Sequence, residues 1–80
     1  MNLEELRTFL EVVETGSLVM AAKRLNVTPS TVSARISGLE EEIGQKLLHR
    51  NKSGAVRPSP GFKINRYAAV MLRLLGKAHY

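Results

Sequence analysis

The sequence predicts a mainly α-helical fold of three short helices, a small β-hairpin and a long C-terminal helix. Three observations support this class: apolar residues recur at helical spacing in four segments, cap and turn residues separate the segments, and strand-like stretches follow Gly44. The chain has 80 residues, is 44% hydrophobic and contains no cysteine. One modest core without disulfides or thiolate metal sites must therefore hold the fold together.

The first two helices are predicted from cap residues and apolar spacing. Asn2 and Glu5 are spaced as an N-cap and its N3 partner, in front of a helix over about residues 3–15. Gly16 suits the left-handed position that ends a helix, and Ser17 can cap a short second helix. The apolar residues at helical spacing are Leu3, Leu6, Phe9, Leu10, Val13, Leu18, Ala21, Ala22 and Leu25.

The third predicted helix runs from Thr28 to Ile43 and has two contrasting faces. Thr28 as the cap and Pro29 in the first turn give a strong start signal. The predicted buried stripe consists of Val32, Ile36, Leu39 and Ile43. The opposite face carries small or hydroxylated residues, namely Ser30, Thr31, Ser33, Ala34, Ser37 and Gly38. Because a merely solvated helix usually carries long charged side chains, this face favours close approach to a large partner.

Only about three residues, Asn26 to Thr28, connect the second and third helices. A connection this short makes two helices cross at a wide angle, which is the arrangement of the DNA-binding helix-turn-helix. Helix corners that never meet DNA share the same spacing. From the spacing alone, both interpretations remain open.

After Gly44 the pattern changes to short strand-like stretches. Residues 47–50 and 55–57 flank turn residues at 51–54, which predicts a small β-hairpin, or wing. An irregular loop is the alternative, because strands this short are hard to predict. In either case a protrusion beside the third helix carries three basic residues, Arg50, Lys52 and Arg57.

A last helix is predicted over about residues 60–78. Its apolar stripe suits pairing with the same helix of a second chain. The residues predicted at that dimer interface are Ile64, Tyr67, Ala68, Met71, Leu72, Leu75 and Ala78. The alternative is packing of its first two turns on their own domain, whereas the last two turns lie beyond the reach of so small a core.

Charge divides the chain into two parts. Up to Glu42 there are four basic and seven acidic residues, a net charge of −3; beyond Glu42 there are eight basic residues and no acidic residue, a net charge of +8. A solvated basic tail would give the same division, but beside the small-residue face of the third helix it favours nucleic acid as the partner. A basic amphipathic helix at residues 60–78 that binds a membrane surface or a protein is an alternative.

Other classes of function have little support. No apolar run approaches the roughly 20 residues that cross a bilayer, and the N-terminus does not read as a signal peptide, so we expect a cytoplasmic protein. The chain has no Asp and no Cys, and His49 has no identifiable partner. We therefore expect no enzyme, no cofactor and no metal site.

Several short motifs occur together in one order and spacing. They are Leu6 to Phe9, Gly16-Ser17, Ala21-Ala22, Leu25 to Thr28, Val32-Ser33, Ile36, Leu39-Glu40, Gly44 and Leu47 to Arg50. In this order they resemble the N-terminal domain of LysR-type transcriptional regulators. The stretch from Val56 to Gly61 resembles the end of that family's wing and the start of its linker helix, and is one residue shorter before Gly61.

The resemblance implies a winged helix-turn-helix that binds double-stranded DNA as a bacterial transcription regulator. Residues 1–58 would be the DNA-binding domain, and residues 59–80 the linker helix through which two chains form a homodimer; a higher oligomer is left open for a longer form. Family members normally continue into a domain that senses a small molecule, so an inducer is expected only if such a domain follows. A winged-helix protein that organises DNA with little sequence preference is the alternative.

The predicted DNA contacts lie on the third helix and the wing. The resemblance matches groove-contacting positions of the family to Pro29, Ser30 and Ser33, and it favours Arg50 for the minor groove. Arg35 is the only long donor on the helix, and contacts with a guanine edge or with a phosphate are both open. The full predicted set is Thr28, Pro29, Ser30, Thr31, Ser33, Ala34, Arg35, Ser37, Arg50, Lys52, Ser53 and Arg57.

Overall fold

Residues 2–52 and 55–59 are described by a computed structural model, and they form three helices and an antiparallel hairpin. The elements are α1 (Leu3–Thr15), α2 (Leu18–Leu25), α3 (Pro29–Ile43), β1 (Leu48–Arg50) and β2 (Val56–Pro58). The three predicted helices and the predicted wing are therefore confirmed, and the irregular loop is excluded. The predicted helix over residues 60–78, its dimer-interface residues and Ser53 lie outside the described residues.

Both ends of α1 are formed by the predicted cap residues. The side chain of Asn2 accepts the N–H of Glu5 at 2.8 Å, and Glu5 Oε1 accepts the N–H of Asn2 at 3.3 Å, which is a complete capping box. Gly16 adopts φ = 70° and donates its N–H to the carbonyl of Val12 at 2.8 Å. A left-handed residue at this point ends the helix and turns the chain towards α2.

One core lies between the three helices and the hairpin. Its buried hydrophobic residues are Leu6, Phe9, Val12, Ala21, Ala22, Val32, Ile36, Leu39, Leu47 and Val56. The short side chains of Ala21 and Ala22 let α2 approach its neighbours closely. The predicted stripe of α3 is buried at Val32, Ile36 and Leu39, whereas Ile43 packs at its edge. Within the described ranges, no helix has the length and apolar character that a bilayer span requires.

The corner between α2 and α3 follows local rules that the sequence already shows. Asn26 ends α2 with φ = 62°, and its N–H reaches back to the carbonyl of Lys23 at 3.3 Å. Val27 follows and packs against the core as a partly buried residue. Thr28 caps α3 by accepting the N–H of Thr31 at 3.1 Å, and Pro29 occupies the first helical position. The turn therefore fixes the start of α3 relative to α2.

The wing is a hairpin in which Leu48 pairs with Pro58, His49 with Arg57 and Arg50 with Val56. The N–H of Asn51 donates to the carbonyl of Ala55 at 3.0 Å, and the N–H of Ser59 donates to the carbonyl of Leu47 at 2.8 Å. Hydrogen-bonded and non-hydrogen-bonded pairs alternate in an antiparallel ladder. These two bonds therefore determine which residue pairs of the hairpin are hydrogen-bonded and which are not.

Two pairs in this ladder are non-hydrogen-bonded, Leu48 with Pro58 and Arg50 with Val56. Proline is tolerated there because the ladder requires no N–H from it. The N–H groups of Leu48 and Val56 point away from the opposite strand. That of Val56 donates to the carbonyl of Gly16 at 3.0 Å, which ties β2 to the end of α1.

Candidate nucleic-acid interface

The N-terminal half of α3 presents a small, polar surface to solvent. The predicted contact residues that are exposed there are Thr28, Pro29, Ser30, Ser33, Ala34 and Ser37, and Thr31 is partly buried. The hydroxyls of Thr28 and Thr31 lie 2.9 Å apart and take part in the helix cap. Ser30, Ser33 and Ser37 therefore carry the hydroxyls of this face that are outside the cap.

Gly38 was predicted on this exposed face, but it is partly buried and lies next to Glu5 of α1. A Cβ built on Gly38 would lie 2.7 Å from Glu5 Oε2, on the N-terminal turn of α1. The space beside Gly38 is therefore filled by the flexible end of the Glu5 side chain from α1. The spacing in the sequence could not show this, because it depends on the packing of two separate helices.

Arg35 is turned towards α1. Its Nη2 lies 3.2 Å from Glu4 Oε2, and its Nη1 donates to Thr8 Oγ1 at 3.4 Å. Thr8 is completely buried, and its hydroxyl also donates to the carbonyl of Glu4 at 2.7 Å. Arg35 precedes Ile36 of the buried stripe, which explains why its long side chain lies along the helix interface. Its contact with DNA stays a prediction.

The structure places the basic residues of the wing on different faces. Side chains alternate along a strand, so Arg50 shares a face with Leu48 and with its cross-strand partner Val56. Arg57 lies on the opposite face beside His49, and both are exposed. Lys52 is exposed in the turn between the strands. Arg50 alone of these three cations therefore faces α3.

A cleft of about 160 Å³ separates α3 from the wing. We call it the α3–wing cleft; its lining residues are Leu18, Ser33, Ile36, Ser37, Glu40, Lys46, Leu48, Arg50 and Val56. Three of the predicted contact residues, Ser33, Ser37 and Arg50, thus meet around one depression. Hydroxyls on one wall and a guanidinium on the other are the donors that a phosphodiester backbone accepts from.

Two residues of the cleft escaped the prediction from sequence. Lys46 is exposed between α3 and the wing. The sequence could have indicated it as a contact residue only because it is one of the eight basic residues after Glu42. Glu40 is the second; it opens a run of three acidic residues at 40–42, and nothing in that pattern indicates a contact with the wing. In the structure its side chain is only 13% exposed and its carboxylate bonds to the start of the wing.

Within the described part of the chain, the basic residues of the wing take part in no ion pair. Arg24 lies 3.1 Å from Glu11 Oε2 and 3.6 Å from Glu14 Oε1, so acidic groups of α1 are occupied by α2. Lys46 Nζ lies 3.8 Å from Glu40 Oε1. The ion pairs of residues 2–52 and 55–59 include none of Arg50, Lys52 and Arg57. These cations are therefore available to a polyanion.

The chain has relatives among bacterial regulators. It is 39% identical over 75 residues to the "HTH-type transcriptional regulator SoxR" of Arthrobacter sp. (strain TE1826), which covers 94% of this chain and 26% of that protein. It is 36% identical over 74 residues to the "HTH-type transcriptional regulator YofA" of Bacillus subtilis (strain 168), with coverage of 92% and 26%. The chain thus spans about a quarter of the length of these relatives.

Solved structures share the fold. The complex of the CbnR DNA-binding domain with DNA superposes with a TM-score of 0.82 at 27% identity, covering 98% of this chain and 86% of that one. The complex of the BenM DNA-binding domain with the benA site 1 DNA gives a TM-score of 0.79 at 34% identity, with coverage of 95% and 82%.

The match to a protein family extends over most of the chain. Residues 3–61 match the family described as "Bacterial regulatory helix-turn-helix protein, lysR family". The match includes all three helices and both strands. It is a family of regulators and not of enzymes, in agreement with the prediction from sequence. The chain belongs to the lysR family of bacterial regulatory helix-turn-helix proteins.

Proposed function

We propose that this chain binds double-stranded DNA in a sequence-specific manner as part of a bacterial transcription regulator. The N-terminal half of α3 enters the major groove, and the wing lies at the adjacent minor groove. In this role the protein acts in the cytoplasm, at the nucleoid. The observation that carries the proposal is the placement of Ser33 and Ser37 of α3 across one cleft from Arg50 of the wing.

The position of the α3–wing cleft supports this placement of α3 and the wing in adjacent grooves. One strand of the duplex backbone separates a major groove from the next minor groove, so a helix in one groove and a wing at the other must straddle that strand. The α3–wing cleft is the depression between those two elements, and Ser37 and Arg50 line it. The backbone strand would run over the cleft and accept a hydrogen bond from Ser37, while Arg50 on the other wall would extend past it into the minor groove.

Base recognition by α3 would rest on few contacts. Serine hydroxyls at Ser30 and Ser33 bond to bases or phosphates with little selectivity, and Pro29 and Ala34 offer apolar contact to thymine methyl groups. Arg50 can add recognition by entering a narrow A·T-rich minor groove, where the negative potential is strongest. Sequence reading would therefore be shared between the helix and the wing.

Solved relatives support the same mode of action. Both DNA-binding domains compared above, of CbnR and BenM, were crystallised with DNA. The superpositions with these two domains cover 98% and 95% of this chain. The DNA contacts predicted here, including those of Lys52, Ser53 and Arg57, are proposed on that basis and on the exposure of the described residues.

A homodimer formed through residues 59–80 would give two DNA-binding heads. Two heads on one face of a duplex read half-sites separated by about 34 Å or a multiple of it, so we expect an interrupted palindrome as the operator. A small-molecule inducer belongs to the proposal only for a longer protein with a sensing domain. Footprinting tests the dimer, because a single unrepeated half-site occupied by one chain would contradict it.

The test of sequence specificity is a selection followed by competition. Duplexes are selected from a random pool with the 80-residue chain, and affinities for the selected duplex and for a scrambled duplex of equal composition are measured by fluorescence anisotropy. We expect a preference of about 10³-fold or more, as specific DNA-binding proteins show. A ratio near one would favour the DNA-organising alternative, and binding to anionic vesicles with no affinity for duplex would favour the membrane-surface alternative.

A further inference from the structure

Glu40, in the last turn of α3, bonds to the segment that opens the wing. Its Oε2 accepts the N–H of Leu47 at 2.8 Å and the N–H of Leu48 at 3.3 Å. Its Oε1 lies 3.8 Å from Lys46 Nζ, and the side chain is 13% exposed. The shielded carboxylate of Glu40 thus contacts three consecutive residues, Lys46, Leu47 and Leu48, which lead from the end of α3 into β1.

The main chain of Glu40 contributes to the same connection. Its carbonyl accepts the N–H of Gly44 at 2.8 Å and the N–H of Gln45 at 3.3 Å, which ends α3. Gly44 has φ = 84°, so the chain reverses sharply there. Carbonyl and carboxylate of one residue therefore hold the path of the chain from the end of α3 to the first residue of β1.

The wing needs this support because it is small. A hairpin of two three-residue strands is marginal by itself in water. The N–H of Leu48 points away from β2, as the ladder requires, and Glu40 satisfies it. The N–H of Val56 on the other outer edge donates to the carbonyl of Gly16. The hairpin is thus held on one edge by α3 and on the other by the end of α1.

We infer that Glu40 is a positioning residue for DNA binding, which sets the wing relative to α3 so that Arg50 reaches the minor groove while Ser33 faces the major groove. This inference rests on the proposed function. Glu40 lines the α3–wing cleft with Ser33 and Arg50. Its negative charge faces two N–H groups and Lys46, so the polyanion that passes over the cleft meets a compensated carboxylate.

The first arm of the test requires no DNA. Amide hydrogen exchange of Leu47 and Leu48 is measured in the 80-residue chain and in the variants Glu40→Ala, Glu40→Gln and Glu41→Ala. Glu41 is exposed on the same helix, so its variant carries the same change of charge without the contact. In Glu40→Ala we expect exchange of both amides to accelerate by about tenfold or more, as for loss of a hydrogen bond to a charged group. Glu40→Gln keeps an acceptor and should restore most of the protection, and Glu41→Ala should change nothing.

The second arm measures the coupling between Glu40 and Arg50 on DNA. Arg50→Ala is made in the parent chain, in Glu40→Ala and in Glu40→Gln, and affinities for an A·T-flanked duplex are compared. If Arg50→Ala weakens the parent about tenfold, it should weaken Glu40→Ala less than about threefold, because a displaced wing has already lost that contact. In Glu40→Gln the full effect of Arg50→Ala should return, although the charge is equally absent.

The outcomes separate the positioning role from the proposed function. Unchanged exchange of Leu47 and Leu48 in a folded Glu40→Ala would overturn the inference, and so would an undiminished effect of Arg50→Ala in that background. If Glu40→Ala does not fold, Glu40→Leu takes its place in both arms under the same criteria, because leucine fills similar space and has no atom that accepts the N–H groups of Leu47 and Leu48. If the parent chain binds no duplex at all, the proposed function fails, and the exchange arm still decides whether Glu40 positions the wing.

Discussion

Arg35 Nη2 lies 3.2 Å from Glu4 Oε2, so the only long basic side chain of α3 is held against α1. The Glu4 side chain is 75% exposed and that of Arg35 is 26% exposed. Exposed ion pairs contribute about 0–1 kcal/mol, so DNA could recruit this guanidinium at little cost. Under the proposed function, this ion pair would compete with DNA for Arg35.

Glu4→Gln should raise DNA affinity by about two- to fivefold, because it removes a competing carboxylate whose ion pair is worth only about 0–1 kcal/mol. Anisotropy titrations with Glu4→Gln, with Arg35→Ala and with the double variant measure the effect. Glu14→Gln is the matched control, since Glu14 is an exposed glutamate of α1 that pairs with Arg24. An increase that persists in the absence of Arg35 would assign the effect to general charge.

Arg50→Ala should weaken binding more than Arg57→Ala, because Arg50 faces α3 and Arg57 lies on the other side of the hairpin. The loss for Arg50→Ala should be greatest on A·T-rich flanks, since a narrow minor groove attracts positive charge. The measurement is the affinity for duplexes that differ only in their flanks. Equal loss on all flanks, with a salt dependence reduced by about one unit of slope, would reassign Arg50 to a phosphate.

Gly38→Ala should stabilise the fold by a few tenths of a kcal/mol up to about 1 kcal/mol, which is the helix propensity gained over glycine. The new Cβ would meet Glu5 Oε2 at 2.7 Å, but that oxygen ends a flexible side chain and can move. Its movement weakens the 3.3 Å bond to the N–H of Asn2, which offsets part of the gain. Urea denaturation measures the change.

The control for Gly38→Ala is the same substitution in a Glu5→Ala background. Without the Glu5 side chain there is no bond to Asn2 to weaken, so the free energy of unfolding should rise by the full amount of about 1 kcal/mol. A net loss of stability in both backgrounds would show that α1 cannot adjust to the added methyl group.

Asn26→Ala should destabilise the fold by about 1 kcal/mol, because alanine adopts the left-handed conformation at φ = 62° only with strain. Asn26→Gly is the control and should be close to neutral, since glycine adopts that conformation freely. Thermal unfolding of both variants gives the comparison. Equal losses for the two substitutions would point to the asparagine side chain rather than to the backbone.

The parts of the fold that were predicted correctly depend on local rules. The capping box of Asn2, the left-handed Gly16 and Asn26, and the cap at Thr28 each involve residues within a few positions of one another. Helical spacing likewise predicted the buried stripe of α3. Such features can be read from sequence because their physical causes lie within one or two turns of chain.

The parts that were not predicted depend on packing between distant segments. Gly38 meets Glu5, Arg35 meets Glu4, and Glu40 meets the start of the wing, and none of these contacts follows from spacing. The same holds for Arg50 and Arg57, whose separation onto two faces depends on the register of the hairpin. The exposure of the serines on α3 agrees with the predicted free face, whereas the orientation of charged side chains required the structure.

The outer edges of the wing also govern how molecules of this protein meet one another. Strands with free N–H groups invite a strand of a second molecule to add to them, which leads to aggregation. Within the described strands, the outward N–H groups of Leu48 and Val56 are already bonded, and Pro58 has none to donate. Only Arg50 presents an outward N–H there, beside a charged side chain. Addition of a strand from a second molecule is therefore disfavoured at these positions of the wing.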